Sequence, residues 1–411
     1  MKIRIFAVVS FVNKLKYLYM KKFYALLIAC VFVCGQSLAA NNETKSNEAL
    51  QAKVDSLELR LAKMEKRAAT WQKIKQHFKI SGFLQAGYYL DVTEGKTDNS
   101  YFRLRRARLS IAGKIVESEK AGKADYRLQV DFAESPKIVD LWIRYQPFNQ
   151  LGLQVGQFKI PLSIENSEYS PTKLEFIDYS LVVQRLVRMS SNDVTGISST
   201  GRDCGAQLFG GFIKKEGFNM INYNLAVFNG CGINQKKDNN SSKDFVGRVM
   251  VNPIKDLTIA GYYQYGEGNF NSETYSTFFN HDANGNPIGN SKFVKYQRYG
   301  GGIAYNGKHA FARAEYIRGN TGILVSEGAY ASAGWKFHTA KAGHGSLGAR
   351  FDYFDNDVFN AQREFNYTLG ATYQPWKYLR LQLNYTIKHY QHFSAPKPIT
   401  NSLSLMVTGM F

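Results

Sequence analysis

From Phe78 to the end of the chain, apolar and polar residues alternate with a period of two. Tyr126, Leu128, Val130 and Phe132 are interleaved with Arg127, Gln129 and Asp131. Val139, Leu141, Ile143 and Tyr145 alternate with Asp140, Trp142, Arg144 and Gln146. Late in the chain Leu379, Leu381, Leu383, Tyr385 and Ile387 alternate with Arg380, Gln382, Asn384, Thr386 and Lys388. Such runs predict strands with one apolar and one charged face. About sixteen are predicted, starting near residues 79, 101, 125, 138, 151, 204, 218, 244, 257, 295, 309, 326, 345, 363, 378 and 401. Short turns, such as Gln146 to Gln150, Asn252 to Asp256, Asn306 to His309 and Gln374 to Tyr378, take turns with longer segments such as 267 to 294.

A soluble sandwich also alternates, but it hides its apolar faces against each other. Charge at alternate positions of nearly every run fits a wet lumen inside an apolar wall. After residue 40 there is no apolar stretch of helix-spanning length, so a membrane could be crossed only by a closed barrel. The expected fold of residues 78–411 is therefore an all-β, 16-stranded antiparallel outer-membrane barrel. An even strand number, short turns at one end and long loops at the other suit it. Leu403, Leu405, Val407, Gly409 and Phe411 share one parity, and a last strand ending in Phe looks like an outer-membrane assembly signal.

The period changes upstream. Leu50, Val54, Leu57, Leu61, Met64, Ala68 and Trp71 are spaced four and three apart, a heptad seam following a polar tether. Three heptads are too short to be stable alone. Residues 41–77 are thus expected to form a tether and a short coiled-coil helix, with trimeric self-association as its role. One helix packed on its own barrel is the alternative. Residues 1–40 read as a signal-peptide region: Lys21 and Lys22, an apolar run from Phe23 to Val33, and Ser37-Leu38-Ala39 for cleavage. Met20 is a candidate true start. Leu27-Ile28-Ala29-Cys30 resembles a lipobox, although Val31-Phe32-Val33 continues the apolar run past it.

The net charge of +19 falls to +13 once the basic leader is removed, with 46 basic and 33 acidic residues left. An exported chain with that excess is expected to meet small anions and outer-membrane lipid, and no nucleic acid. Cys204 and Cys231 remain after cleavage. They flank two strand-like runs joined by a turn at Lys214 to Gly217, which makes them a disulfide candidate.

Candidate chemistry follows from parity. Arg106, Arg108 and Lys114, then Arg127 and Arg144, then Arg248, Arg298, Arg313, Lys336, Arg350, Arg380 and Lys388 fall on the lumen side, with Lys159 near the end of the fifth run. Rings of Arg and Lys favour anions, because the guanidinium fork matches phosphate and carboxylate oxygens. Pairing with Asp131, Asp140, Glu315 or Asp352 would make some of them wall supports instead. Arg103 and Arg105 fall on the lipid parity. The segment 161–201 lacks alternation and is too long to lie idle. It carries Glu165, Glu168, Lys173, Glu175, Asp178, Arg185 and Arg188, and it is expected to fold inward as a constriction loop, with Arg185 and Arg188 among the anion contacts. An ordinary outer loop is the alternative.

The string Phe102-Arg103-Leu104-Arg105-Arg106-Ala107-Arg108-Leu109, with Asp125-Tyr126-Arg127-Leu128 and Val155-Gly156-Gln157-Phe158-Lys159-Ile160-Pro161, resembles the phosphate-selective porin O and P family. The likeness runs from about residue 78 to Phe411. It implies a trimer of 16-stranded barrels, an inward third loop and an arginine-lined path for phosphate or polyphosphate in the outer membrane of a Gram-negative bacterium. Chloride, phosphate and polyphosphate are the solutes expected. A general diffusion porin, or a coiled-coil-bearing adhesin or structural barrel, is the alternative. No local motif joins any of the seven histidines to a nucleophile, the mature cysteines lack finger spacing, and no phosphate loop opens a helix. The chain is accordingly read as no enzyme, with no cofactor and no metal site.

Overall fold

The computed structural model describes residues 51–67, 78–268, 293–339, 343–391 and 398–411. The expected signal-peptide region and polar tether, and most of the segment 267 to 294, lie outside them. The chain divides into two compact units, Met1–Ile74 and Lys75–Phe411. In the first unit residues 51–67 form a helix, α1. Val54 and Leu57 on its seam are half-buried, whereas Leu61 and Met64 are exposed. Ala68 and Trp71 lie outside the described residues.

The second unit is built from sixteen strands. These are β1 (Lys79–Thr93), β2 (Asn99–Ser118), β3 (Gly122–Asp131), β4 (Lys137–Phe148), β5 (Leu151–Lys159), β6 (Arg202–Lys215), β7 (Phe218–Phe228) and β8 (Asp244–Ile254). They continue as β9 (Leu257–Gly268), β10 (Val294–Asn306), β11 (Ala310–Thr321), β12 (Leu324–Thr339), β13 (Gly343–Asp355), β14 (Arg363–Trp376), β15 (Leu379–Gln391) and β16 (Thr400–Met410). Every predicted start lies within three residues of an observed one. Neighbours in sequence pair antiparallel, and β16 closes on β1 with Leu84 opposite Gly409 and Ala86 opposite Val407. Closure removes the unpaired edge that a membrane could not satisfy.

Alternation sets the two surfaces. Leu141, Ile143 and Tyr145, like Leu381, Leu383 and Tyr385, point outward and are exposed. Their neighbours Asp140, Arg380, Gln382 and Asn384 point inward and are buried. No helix among the described residues is long and apolar enough to cross a membrane. Two- and three-residue turns such as 149–150, 216–217 and 307–309 share one end with both ends of the barrel domain, and the long connections, together with the short turn 322–323, share the other. By that asymmetry the long-loop end is the outer end.

Gly156 marks one position where only glycine serves. Its φ is 128°, and a Cβ there would stand 2.1 Å from the Leu141 carbonyl oxygen on β4. Gly156→Ala is expected to destabilise the barrel by about 1–3 kcal/mol. The check is the temperature at which the compact, heat-modifiable band disappears on a denaturing gel, which should fall.

Two expectations need correction. Arg103 and Arg105 do not face lipid. The register between β1 and β2 shifts at Gln85/Ala86, with Gln85 opposite Arg106 but Ala86 opposite Leu104, so Arg105 is the extra residue of a β-bulge. The bulge reverses parity, and Phe102 and Leu104 take the outward positions. The cysteine pair is likewise out of register. The Cys204 carbonyl accepts from the Asn229 amide, two residues short of Cys231, and both thiols are free. The positive φ of Gly230 and Gly232 turns the chain on either side of Cys231. Burial, then the nearby Asp203 carboxylate, pushes the Cys231 thiol up to about 11.

Candidate functional site

Between β5 and β6 the chain from Pro161 to Gly201 lies inside the barrel. Its first helix, α2 (Ile164–Glu168), starts where Ser163 caps the Asn166 amide. The Glu315 carboxylate of β11 meets that start. It accepts from the Ile164 amide at 2.6 Å, the Glu165 amide at 2.8 Å and the Ser163 hydroxyl at 3.1 Å. Tyr262 and Tyr330 hydroxyls donate to the same carboxylate at 2.9 and 2.7 Å. Further down, Arg380 donates to the Thr172 and Leu174 carbonyls, and the Thr372 hydroxyl to that of Glu175 at 2.9 Å. The chain then climbs back through α3 (Leu181–Leu186), whose first amide donates to Asp352 at 2.9 Å. At the top Arg188 pairs with Asp203 at 2.9 Å and Asp244 at 3.3 Å.

An apolar seal complements these polar ties. Leu162, Ile164, Leu174, Leu181, Val182, Val183 and Leu186 pack with Phe228, Val246, Tyr262, Ile317, Tyr330 and Phe354 of the wall. The middle of the lumen beside β9–β13 is therefore filled, with a basin of about 800 Å³ left at its inner end. The main opening lies against β1–β8 and β13–β16.

That opening consists of two cavities meeting at Arg108. The outer one, about 610 Å³, is lined by Arg103, Arg105, Arg106 and Lys388 together with Asp91, Asp131 and Asp178. The inner one, about 380 Å³, is lined by Arg108, Arg127, Arg144, Lys159, Lys173, Arg202 and Arg248, against only Asp140 and Glu168. Positive charge prevails in the inner cavity and will concentrate anions there. Asp178 projects from the loop into the outer cavity and takes Arg105 as its partner. Burial raises its carboxyl, but Arg105, then Arg350 and Arg106, outweigh burial and hold it below the usual carboxylate range.

The fate of the fifteen predicted cations divides by partner. Arg106 bonds only a neutral group, Gln85, at 2.9 Å among the contacts seen, and faces the outer cavity. Arg127 stands 3.5 Å from Asp140 and Arg144 makes a forked pair with Asp125, each keeping 40% of its side chain exposed. Lys388 pairs with Asp91 at 3.4 Å across the outer cavity. Arg185 pairs with Glu364 at 2.7 Å near the top. Lys336 bonds Asn306 in a separate basin at the inner end. Lys114 pairs with Glu117 at the inner rim, outside both cavities.

The rest are braces. Arg108 is 3% exposed and bonds Asp131 at 2.8 Å. Arg248 holds Glu168 at 2.7 Å, and Arg313 holds Glu165 and Glu175 at 3.3 and 3.0 Å. Arg350 bonds Asp352 and the Asp178 carbonyl, and Arg298 bonds the Gln297 and Asn320 carbonyls and Thr321. Lys159 donates to the Asn166 and Tyr169 carbonyls at 2.6 and 2.8 Å. Together with Arg188 and Arg380, these side chains mostly hold the inward segment in place.

Parity missed Arg103, Arg105 and Arg202, and it left Lys173 as a loop charge only. The signal for the first two is in the string itself. Arg103 and Arg105 are out of phase with Arg106 and Arg108, and a bulge brings all four to one face. Apolar residues on the lumen parity, such as Val246 beside Arg248 and Ile317 beside Glu315, signal that part of the lumen is dry. Among the described residues no group of His, Cys, Asp and Glu is placed to hold a metal ion.

A closed sixteen-stranded barrel with an inward segment and a polar passage defines an outer-membrane porin. The family model of the phosphate-selective porin O and P matches residues 78–410, and the chain belongs to that family. The fold is also that of an anion-selective porin from Comamonas acidovorans, at 10% identity and a TM-score of 0.58, over 81% of this chain and 99% of that one. OprB of Pseudomonas putida is similar at 10% identity and a TM-score of 0.59, over 84% and 97%. The trimer form of OmpT from Vibrio cholerae is similar at 10% identity and a TM-score of 0.55, over 82% and 100%. No curated protein sequence matches the chain.

Proposed function

We propose that this porin passively conducts small anions, phosphate or polyphosphate among them, through the paired cavities that meet at Arg108 on β2. The observation carrying this reading is the inner cavity, whose lining holds seven basic side chains and two carboxylates, so that basic groups remain in excess even with Asp125 and Asp131 pairing Arg144 and Arg108 from beside it. Anions gather at Arg103 and Arg105, pass Arg106 in the outer cavity and Arg108 at the junction, and leave past Arg127, Arg144 and Lys173. Several weakly competing sites favour entry while letting the ion go. The segment 161–201 acts as the constriction, and Asp178 tempers the binding by engaging Arg105. Membership of the family and the anion selectivity named for the Comamonas porin support the same reading. A trimer agrees with the heptad seam of residues 41–77 and with the trimer form of OmpT.

The test is the reversal potential of single channels under a potassium chloride gradient, repeated with phosphate added. Chloride preference and block of the chloride current by phosphate are expected. Arg106→Ala should weaken that block about tenfold, the effect of losing one charge-assisted hydrogen bond. Chloride preference without phosphate block would mark a general diffusion porin. Cation preference would overturn the reading.

A further inference from the structure

The outward wall of β9–β16 differs from the rest of the barrel in two ways. The first is a trough of about 750 Å³ with almost wholly apolar walls. Its floor is a patch of small side chains in register across three strands, where Ala312 faces Ala333 and Ala333 faces Ala349, with Ala314 facing Ala331. Leu257 and Ile303 stand on one side, Leu369 and Ile387 on the other.

The second is a polar cluster on the same outward parity, nearer the outer strand ends. Arg318 of β11 donates through Nη1 to Glu327 of β12 at 2.8 Å. Tyr316 donates to the same carboxylate at 2.8 Å and Tyr353 at 3.4 Å. Lys295 of β10 is exposed on the adjoining strand. At the outer ends of β1, β2, β7 and β8 the outward residues are instead Val92, Phe102, Leu104, Leu225, Val227 and Phe245, all apolar and exposed.

We propose that this sector is a binding site for one phosphorylated glycolipid of the outer leaflet. Its acyl chains lie in the trough, and its phosphate meets Arg318 and Lys295 at headgroup height. Alanines provide the depth because a methyl leaves room that Leu or Tyr on neighbouring strands would fill. Glu327 and the two tyrosines fix the guanidinium in advance, so that little side-chain entropy is lost when phosphate arrives. A second copy of the barrel fits this face poorly, since it would dry out the Arg318–Glu327 pair. Copies would meet more favourably on the sector whose rim is apolar.

The full chain, purified in mild detergent, would be incubated with bis-phosphorylated lipid A or with phosphatidylethanolamine and weighed intact by native mass spectrometry. One lipid A retained per barrel is expected. Retention should fall about tenfold in Lys295→Ala/Arg318→Ala, which removes the phosphate donors. It should fall comparably in Ala333→Leu, which fills the trough, while phosphatidylethanolamine is held weakly by all three proteins. Equal lipid A retention by all three, or equal retention of both lipids by the unaltered chain, would overturn the site. So would disulfide cross-linking of Ala333→Cys between copies in intact membranes, which would assign the trough to a second barrel.

Discussion

In a planar bilayer under a potassium chloride gradient, the Arg127→Glu/Arg144→Glu double variant is expected to shift the reversal potential strongly toward cation preference. Both side chains face the inner cavity, and both are well exposed to its water. The substitutions change the local charge by four units. A charge about 8 Å from a permeating ion contributes about 0.5 kcal/mol at a water-like dielectric. Four units therefore alter the relative cost of chloride and potassium by roughly 2 kcal/mol for each ion, at least a thirtyfold change in permeability ratio. Higher salt should shrink the effect, because screening shortens the reach of each charge. Lysine at both positions should retain the anion preference. An unchanged reversal potential in the glutamate variant would assign both arginines to bracing Asp125 and Asp140.

The second large effect is expected at Glu315, which never touches a solute in this scheme. It is 3% exposed and gathers two backbone amides and three hydroxyls at the start of the inward segment. Glu315→Ala leaves those donors buried without their acceptor, at about 1–3 kcal/mol for each that water cannot reach. The wall keeps its own interstrand ladder. The segment 161–201 should therefore loosen while the barrel stays closed. Single-channel records should show higher and noisier conductance with weaker ion preference, and the compact band on a gel should persist at room temperature. Glu315→Gln, which keeps the shape and an acceptor oxygen, should fall between. An Ala variant with the original conductance and a compact band would show that Arg313, Arg380 and the apolar seal hold the segment without Glu315.

The strands were the most legible part of the molecule because their signal is local. A side chain on a strand faces one side or the other, so lipid and water write themselves onto alternate residues of a barrel. Leu379 to Lys388 shows this plainly, and so does the near agreement of all the strand starts. Which arginines serve solute was much less legible. Arg313 and Arg144 look alike in sequence, each on the lumen parity of a strand. Arg313 ends between Glu165 and Glu175 of a segment about 140 residues away in the chain, whereas Arg144 stays in the water of the inner cavity. Parity names the face but not the partner.

The sequence by itself determined the sixteen alternating strands, the apolar outer wall, the excess of basic residues on the inner one, and a long irregular segment after the fifth strand. These are consequences of short-range periodicity and composition. Only the tertiary structure decided that the bulge at Arg105 turns Arg103 and Arg105 inward, that Cys204 lies opposite Asn229, and that the inward segment fills one side of the lumen. The reason is physical. A one-residue register shift inverts every side chain beyond it, and a buried charge takes its partner from whatever the closed barrel brings near. Neither depends on the residues close by in the chain.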